Sequence, residues 1–466
     1  MASVYSSDSC TEAQLASLRH QEFSRLARNR DVYLDYTGAG LYPESLLSRH
    51  LESLREAVFG NPHSGSPSSV RSTALVERCR HRVLSFFNAS PDEYAVIFTA
   101  NASQALKLVG ESYPFGEGDQ FLLTFDNHNS VLGIREFARA AGVTPEYIPI
   151  LPPDMRVDEP TLFRALGVAR GAHRLFAYPA QSNFSGVQHP LEWIEPAQAQ
   201  GWDVLLDAAA FVPTNRLDLG CWHPDYVVMS FYKMFGYPTG VGALLARHSA
   251  LRHLRRPWFA GGTITVASVQ ADRHYLAPGG TGFEDGTVNF LALPAVELGL
   301  DFIESFGIEA IHGHVQTLTV PLIDALCALR HDNGRRMVAL YGPDTAERRG
   351  ATVAFNFVDP EGRDIDPGIV ERLAGAEGIS LRTGCFCNPG AGEVSLGLSK
   401  PELEACFLRM PHRMSFDEFR RCIVGKGTGA VRVSLGLASD MADVEAMLAF
   451  ARRFVNADHR ALAGAV

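Results

Sequence analysis

From residue 94 to about residue 250, short apolar runs alternate with longer stretches in which apolar residues recur every three or four positions. Tyr94–Phe98, Phe121–Thr124, Leu175–Tyr178, Asp203–Leu206, Tyr226–Met229 and Gly242–Leu245 show almost no polar alternation. That is the pattern of strands buried on both faces. Ser130–Ala141 and Glu159–Val168 carry helical spacing between them. The alternation predicts an α/β fold with a mostly parallel sheet covered by helices. Ligands of such sheets sit outside the carboxyl ends of the strands. Residues 291–330 read as largely helical. Further on, Met337–Tyr341, Ala351–Phe357, Ile379–Leu381 and Ala430–Ser434 read as strands, with helices over 367–376 and 440–457. The expected organisation is an N-terminal segment (1–50) packed with the small domain, a large α/β domain (51–320) and a small α+β domain (321–466). The Gly261 to Gly282 stretch reads as a loop.

Composition narrows the class. The chain is 46% hydrophobic and 20% charged, which describes a soluble globular protein. Its 42 basic and 52 acidic residues leave a net charge of −10. The basic cluster Leu251–Arg256 is short and reads as a solvated helix face, so nucleic acid is not an expected partner. The first thirty residues are polar, and no run of about eighteen apolar residues occurs. The expectation is a cytoplasmic protein with no membrane span. Eight irregularly spaced cysteines do not suggest a disulfide framework, and reduced thiols are expected.

Chemistry enters with Asp207, at the end of one apolar run, and Lys233, just past another in Ser230-Phe-Tyr-Lys-Met-Phe-Gly236. A lysine amine can condense with the aldehyde of pyridoxal phosphate (PLP), and a carboxylate can keep its pyridine nitrogen protonated. Surface lysines and strand-end aspartates also occur in any α/β enzyme. Asn101, Ala102 and Ser103 close a strand and open a helix, which makes either a phosphate cup or a plain N-cap. Ser230 and Tyr232 are further hydroxyls for that phosphate, or strand-end polar residues. His128 could stack on the ring or lie on the surface; Asn183 could face the ring hydroxyl or belong to a turn. Cys385 and Cys387, in a loop bracketed by glycines, suggest a reactive thiol on a flexible mount. Without a second cysteine pair they make a poor metal site, and none is expected. Arg432 could clamp a carboxylate or pair with a surface acid.

With these pieces in place, the chain resembles the class V (NifS-like) branch of fold-type-I PLP enzymes, the cysteine desulfurases. Within that branch the likeness is to the N-terminal sulfurase domain of molybdenum cofactor sulfurases. It is carried by Tyr33-Leu-Asp-Tyr-Thr-Gly-Ala39, Asn61-Pro-His-Ser64, Val96-Ile-Phe-Thr-Ala100 and Gln181-Ser-Asn-Phe-Ser-Gly-Val187. It continues through Ser230 to Gly242, Phe283-Glu-Asp-Gly-Thr-Val288 and Leu381-Arg-Thr-Gly-Cys-Phe-Cys-Asn-Pro-Gly390. The resemblance implies the fold-type-I architecture, PLP as cofactor and a homodimer. It makes Lys233 the covalent anchor, Asp207 the partner of the pyridine nitrogen, His128 the stacking ring and Asn183 the contact to the ring hydroxyl. Ser103, Ser230 and Tyr232 would hold the phosphate, together with Thr287 reaching across from a second subunit. Arg432 would take the substrate carboxylate, and Cys387, rather than Cys385, would receive sulfur as a persulfide.

The implied reaction converts L-cysteine, or a related amino acid, to L-alanine and passes the sulfane sulfur to an acceptor still to be identified, a separate protein among the options. Three departures stand out. The chain ends at Val466 without room for the C-terminal domain of eukaryotic molybdenum cofactor sulfurases, Ala210 replaces the glutamine of simple NifS-type enzymes, and Gly392 stands where sulfurases often carry a third cysteine. The competing reading is a class V aminotransferase, a C–S lyase or another PLP enzyme of small-molecule biosynthesis. Retention of Cys385 and Cys387 argues against it. A non-enzymatic scaffold is disfavoured by the presence of Lys233, Asp207, His128 and Arg432 together.

Overall fold

The apolar runs of the first half assemble into one seven-stranded sheet. Its strands are β1 (Tyr94–Thr99), β2 (Gln120–Thr124), β3 (Glu146–Ile148), β4 (Arg174–Pro179), β5 (Asp203–Asp207), β6 (Tyr226–Ser230) and β7 (Gly242–Arg247). In this computed structural model, which describes residues 12–409, 413–415, 418, 419, 422 and 429–458, they lie in the order β1-β7-β6-β5-β4-β2-β3. β7 is antiparallel to both its neighbours and every other pairing is parallel. Each of the six expected strands forms. The edge strand β3 was not expected, because Glu146-Tyr-Ile is short and partly exposed and has no apolar run. Val204, Leu205 and Leu206 of β5 are fully buried, as a central strand covered on both faces requires.

Helices cover the sheet: α1 (Pro67–Phe86), α2 (Ala102–Ser112), α3 (Phe231–Phe235) and α4 (Leu293–Phe306), while α5 (Ile308–Ala328) buries most of its apolar face in a second core. Ser66 caps α1 by accepting from the Ser69 N–H, with Pro67 in the first turn, where its missing N–H costs nothing. The helix expected over Ser130–Ala141 divides at Gly133 into Asn129–Leu132 and Ile134–Ala140.

A second sheet is built from β8 (Val338–Tyr341), β9 (Thr352–Phe357), β10 (Arg382–Gly384) and β11 (Ala430–Ser434), antiparallel in the order β8-β9-β11-β10. The helices α6 (Pro389–Ser395) and α7 (Met441–Arg452) follow β10 and β11. Its separate core unites Leu34, Val315, Val353, Val431 and Met447. Leu34 belongs there because Val32–Tyr33 pairs in parallel with Ile379–Ser380, and Asp35 bridges to Ser434.

Two expectations need correction. The Gly261 to Gly282 stretch contains an antiparallel hairpin, Ile264–Ser268 with Arg273–Leu276, whose strands are largely exposed. And the cysteines are not all reduced, since Cys406 and Cys422 are joined as a disulfide, while Cys385 and Cys387 are free. Spacing alone could not reveal that pair, because proximity in space decides it. No helix among the described residues is long and apolar enough to cross a membrane.

Candidate active site

Every candidate in the large domain but Thr287 sits where a strand of the main sheet ends. Asp207 is the last residue of β5 and Ser230 the last of β6; Lys233 lies in α3, immediately beyond. Asn101 to Ser103 follow β1, His128 follows β2, and Asn183 follows β4. Parallel strands bring these termini to one edge of the sheet, and they meet around a cavity of about 710 Å³, counting its open mouth. Two glycines allow the approach. A Cβ on Gly242, which opens β7, would lie 2.6 Å from the Asn101 backbone. Gly236, at φ +74°, ends α3 in a conformation and a space that suit no larger residue, since an added Cβ would lie 2.4 Å from the Tyr42 amide.

One end of the cavity is a cup of hydroxyls at the start of α2. The Ala102 N–H donates to Ser230 Oγ at 2.8 Å, and Ser103 Oγ lies 2.5 Å from Ser130 Oγ. Asn101 accepts from the Gln104 N–H at 3.0 Å and caps the helix. Hydroxyls, backbone N–H groups and the positive end of a helix together favour a phosphate. Asp207, buried, accepts from the Ala209 N–H at 3.0 Å. Lys233 lines the same cavity, and burial holds its amine below the usual 10.5, with Asp207 pulling the other way. Burial also lowers His128; Asp207 opposes this while Lys233 and Arg432 reinforce it. His128 Nδ1 accepts from the Ser130 N–H at 3.1 Å, which leaves the ring proton on Nε2.

The cysteine loop closes over the opposite side. Asn388, wholly buried, donates through Nδ2 to Asp126 O at 2.6 Å and to Asn183 Oδ1 at 2.9 Å, while its Oδ1 accepts from the Ala391 N–H at 3.2 Å. Asn183 Nδ2 donates to Phe386 O at 2.7 Å, and the Asn129 N–H donates to Cys387 O at 2.7 Å. Phe386 and Cys387 are both left-handed, at φ +53° and +54°. Phe386 packs its ring on Phe184, and the Arg432 guanidinium lies 4.6 Å from its centre. Cys387 is exposed. Cys385 is half-buried, and its thiol is pushed up by burial and by Glu393. Arg432 is buried on β11, donating to Asn183 O at 2.9 Å and to Asp35 Oδ1 at 3.0 Å.

Lys233, Asp207, His128, Asn183, Asn101, Ala102, Ser103, Ser230 and Tyr232 all line one cavity. Thr287 does not; it lines a neighbouring cavity with Thr99, Ala100, Gln104 and Asp285. Sequence reasoning missed Ser130 and Gln181, which also line the site, as well as Asn388 and Asp35. Asn388 and Asp35 sat inside motifs already singled out, but a motif does not say which buried atoms its side chains meet.

These residues fit pyridoxal phosphate. The phosphate cup, the amine and the single buried carboxylate are separate features of one cavity, as the phosphate, aldehyde and pyridine nitrogen require. The chain is 40% identical over 459 residues to a molybdenum cofactor sulfurase of Bos taurus, covering 94% of this chain and 51% of the relative. It thus spans about half the length of the curated relatives it matches. Among solved structures, a cysteine desulfurase of Thermococcus onnurineus NA1 superposes with a TM-score of 0.78 at 24% identity, covering 98% of this chain and 99% of that one. A variant of the cystine C–S lyase C-DES, with glycine covalently linked to its PLP cofactor, gives 0.70 at 19% identity over 94% and 99% of the two chains. Both share the fold. The sequence profile described as Aminotransferase class-V matches residues 32–447, which span both sheets and the cysteine loop, and the chain belongs to that family.

Proposed function

We propose that this chain is a PLP-dependent cysteine desulfurase and sulfurtransferase of the molybdenum cofactor sulfurase type. It would convert L-cysteine to L-alanine and store the sulfur on Cys387 as a persulfide. The observation that carries this reading is the placement of Cys387: exposed to solvent, yet on a loop tied to the cavity wall, its carbonyl accepting from the Asn129 N–H next to His128 and the carbonyl of Phe386 accepting from Asn183. A transaminase has no use for such a thiol.

Ser103, Ser130, Ser230, Tyr232 and the Ala102 N–H would hold the phosphate, Asp207 the pyridine nitrogen, Asn183 the ring hydroxyl and His128 the ring face. When bound, PLP supplies an aldehyde for the Lys233 amine and a ring that accepts electrons from the substrate carbon. Arg432 holds the substrate carboxylate. Lys233, whose amine burial holds below its usual value, takes up and returns protons beside the substrate carbon. The Cys387 thiolate attacks the substrate sulfur, so an S–S bond forms as the C–S bond breaks. The electron pair stays with the carbon side and is quenched by a proton from Lys233. The acceptor then meets the persulfide from solvent, and a cytoplasmic thiol pool would keep Cys387 reduced between turnovers.

Thr287 is assigned to the phosphate of a second copy's cavity, within a homodimer. The exposed Val266, Val269 and Tyr275 of the hairpin form an apolar surface consistent with burial in such an assembly. The N-terminal segment through residue 50, the large domain to 320 and the small domain thereafter remain the proposed division.

The test is alanine release from L-cysteine by the PLP-loaded protein beside Cys387→Ala. Alanine that vanishes with the variant supports the reading. No alanine from the unaltered protein, with cofactor absorbance present, would overturn it in favour of another amino-acid chemistry.

A further inference from the structure

Two guanidinium groups share one carboxylate beside the cavity, and one of them, Arg432, donates to the backbone of Asn183 in the cavity wall. Arg382 on β10 and Arg432 on β11 are direct cross-strand partners. Asp35, from the N-terminal segment, is 8% exposed and bridged to Ser434, two residues beyond Arg432. Its Oδ1 accepts from Arg432 Nη2 at 3.0 Å, and its Oδ2 accepts from Arg382 Nε, also at 3.0 Å. The chain is folded tightly around this carboxylate. A Cβ on Gly38 would lie 2.4 and 2.7 Å from the two Asp35 oxygens and 2.8 Å from Arg382.

Charge and hydrogen bonding then leave two things over. Asp35 is the acid hydrogen-bonded to both arginines, and these three side chains together carry a surplus of one positive charge, with Glu371 acting on Arg382 from farther off. And Arg432 Nε is buried with no hydrogen-bond partner, although Nη1 and Nη2 are both engaged. A buried unpaired donor is costly and calls for an acceptor. Arg382, with half its side chain exposed, stands between this group and solvent. Its charge reaches Lys233.

We infer that Asp35 is a specificity-determining residue: by neutralising one of the two arginines it sets the anion capacity of the cavity at a single carboxylate. The inference rests on the reading that Arg432 takes the substrate α-carboxylate. Amino acids with one acidic group then match the surplus charge. Those with a second acidic group, such as L-aspartate, bring a negative charge that Arg382 cannot receive while Asp35 occupies it. The effect of Asp35 on substrate is exerted through the arginines.

The experiment compares binding of L-alanine and L-aspartate to the PLP-loaded protein by calorimetry, in Asp35→Asn, Arg382→Gln, the double variant and Arg432→Gln. Freeing the guanidinium that shares Asp35 with Arg432 should change affinity for an anionic ligand about tenfold. Asp35→Asn is expected to shift the alanine-to-aspartate Kd ratio toward aspartate by about that factor. Arg382→Gln is expected to weaken alanine, because Asp35 is then left to Arg432 alone. The double variant restores a surplus of one and should restore the original ratio, which loss of a merely structural contact would not do. An unchanged ratio in Asp35→Asn, undiminished alanine affinity in Arg382→Gln, or a double variant that fails to restore the ratio refutes the inference. Should Asp35→Asn not fold, Arg382→Gln beside Arg382→Lys still decides the matter: alanine should weaken in the first and not in the second. Arg432→Gln separates the two claims: if it binds alanine as the unaltered protein does, the carboxylate assignment itself is wrong.

Discussion

Replacing Asn388 by alanine should disconnect the thiol from the cavity while leaving the cofactor in place. Asn388 is wholly buried and makes three hydrogen bonds, to Asp126 O, to Asn183 Oδ1 and from the Ala391 N–H. Each contributes about 1 kcal/mol net, and stranding its buried partner costs about 1–3 kcal/mol, partly relieved by water. Phe386 and Cys387 are held at positive φ, a conformation that costs about 1–2 kcal/mol per residue and persists only while neighbours enforce it. Removing the clamp therefore shifts the loop toward release by about 2–4 kcal/mol, where each 1.4 kcal/mol is a factor of ten. Persulfide on Cys387, followed by intact-protein mass spectrometry after addition of L-cysteine, is expected to form at least tenfold more slowly. Cofactor absorbance should persist, because the Asn388 side chain contacts none of Lys233, Asp207 and the phosphate cup. A persulfide rate within twofold of the unaltered protein, with hydrogen exchange unchanged over the loop, would refute this account of how Cys387 is positioned.

Three other outcomes are expected. Cys385→Ser should retain most persulfide formation, since burial and Glu393 keep that thiol protonated, whereas Cys387→Ser should abolish it; the reverse pattern in peptide mapping would reassign the acceptor thiol. Burial depresses the Lys233 pKa in the folded state, so between that value and 10.5 the unfolded chain binds more protons. The cofactor-free protein should therefore gain stability as pH rises through that window, and Lys233→Met should remove that part of the slope in urea titrations; an identical slope in the variant would contradict the assignment. Finally, sedimentation should find a dimer, and Thr287→Ala should speed PLP loss without altering the fold; a monomer retaining PLP with full affinity would exclude a role for Thr287 across subunits.

The strands of the main sheet, the edge strand β3 apart, and the residues at their ends were legible in the chain itself. β5 and β6 are short apolar runs, each followed at once by a functional polar side chain, and burial on both faces leaves little other way for such runs to fold. Local pattern also located the α2 cup, because a helix start follows from capping residues and periodicity within a few positions. What tertiary structure decided involves atoms distant in sequence. Ser130 joins the cup because the short helix Asn129–Leu132 packs against α2, although β1 and β2 are not neighbours in the sheet, and Asn388 reaches Asp126 across a separation of 262 residues. Asp35 meets Arg382 and Arg432 only because a two-residue strand pairing carries the N-terminal segment onto the small sheet. The Cys406–Cys422 bond and the separation of Thr287 from the cavity have the same origin. Periodicity reports which face of an element meets the core. The partner of a buried polar group is set by long-range packing, and one sequence read along its length does not contain it.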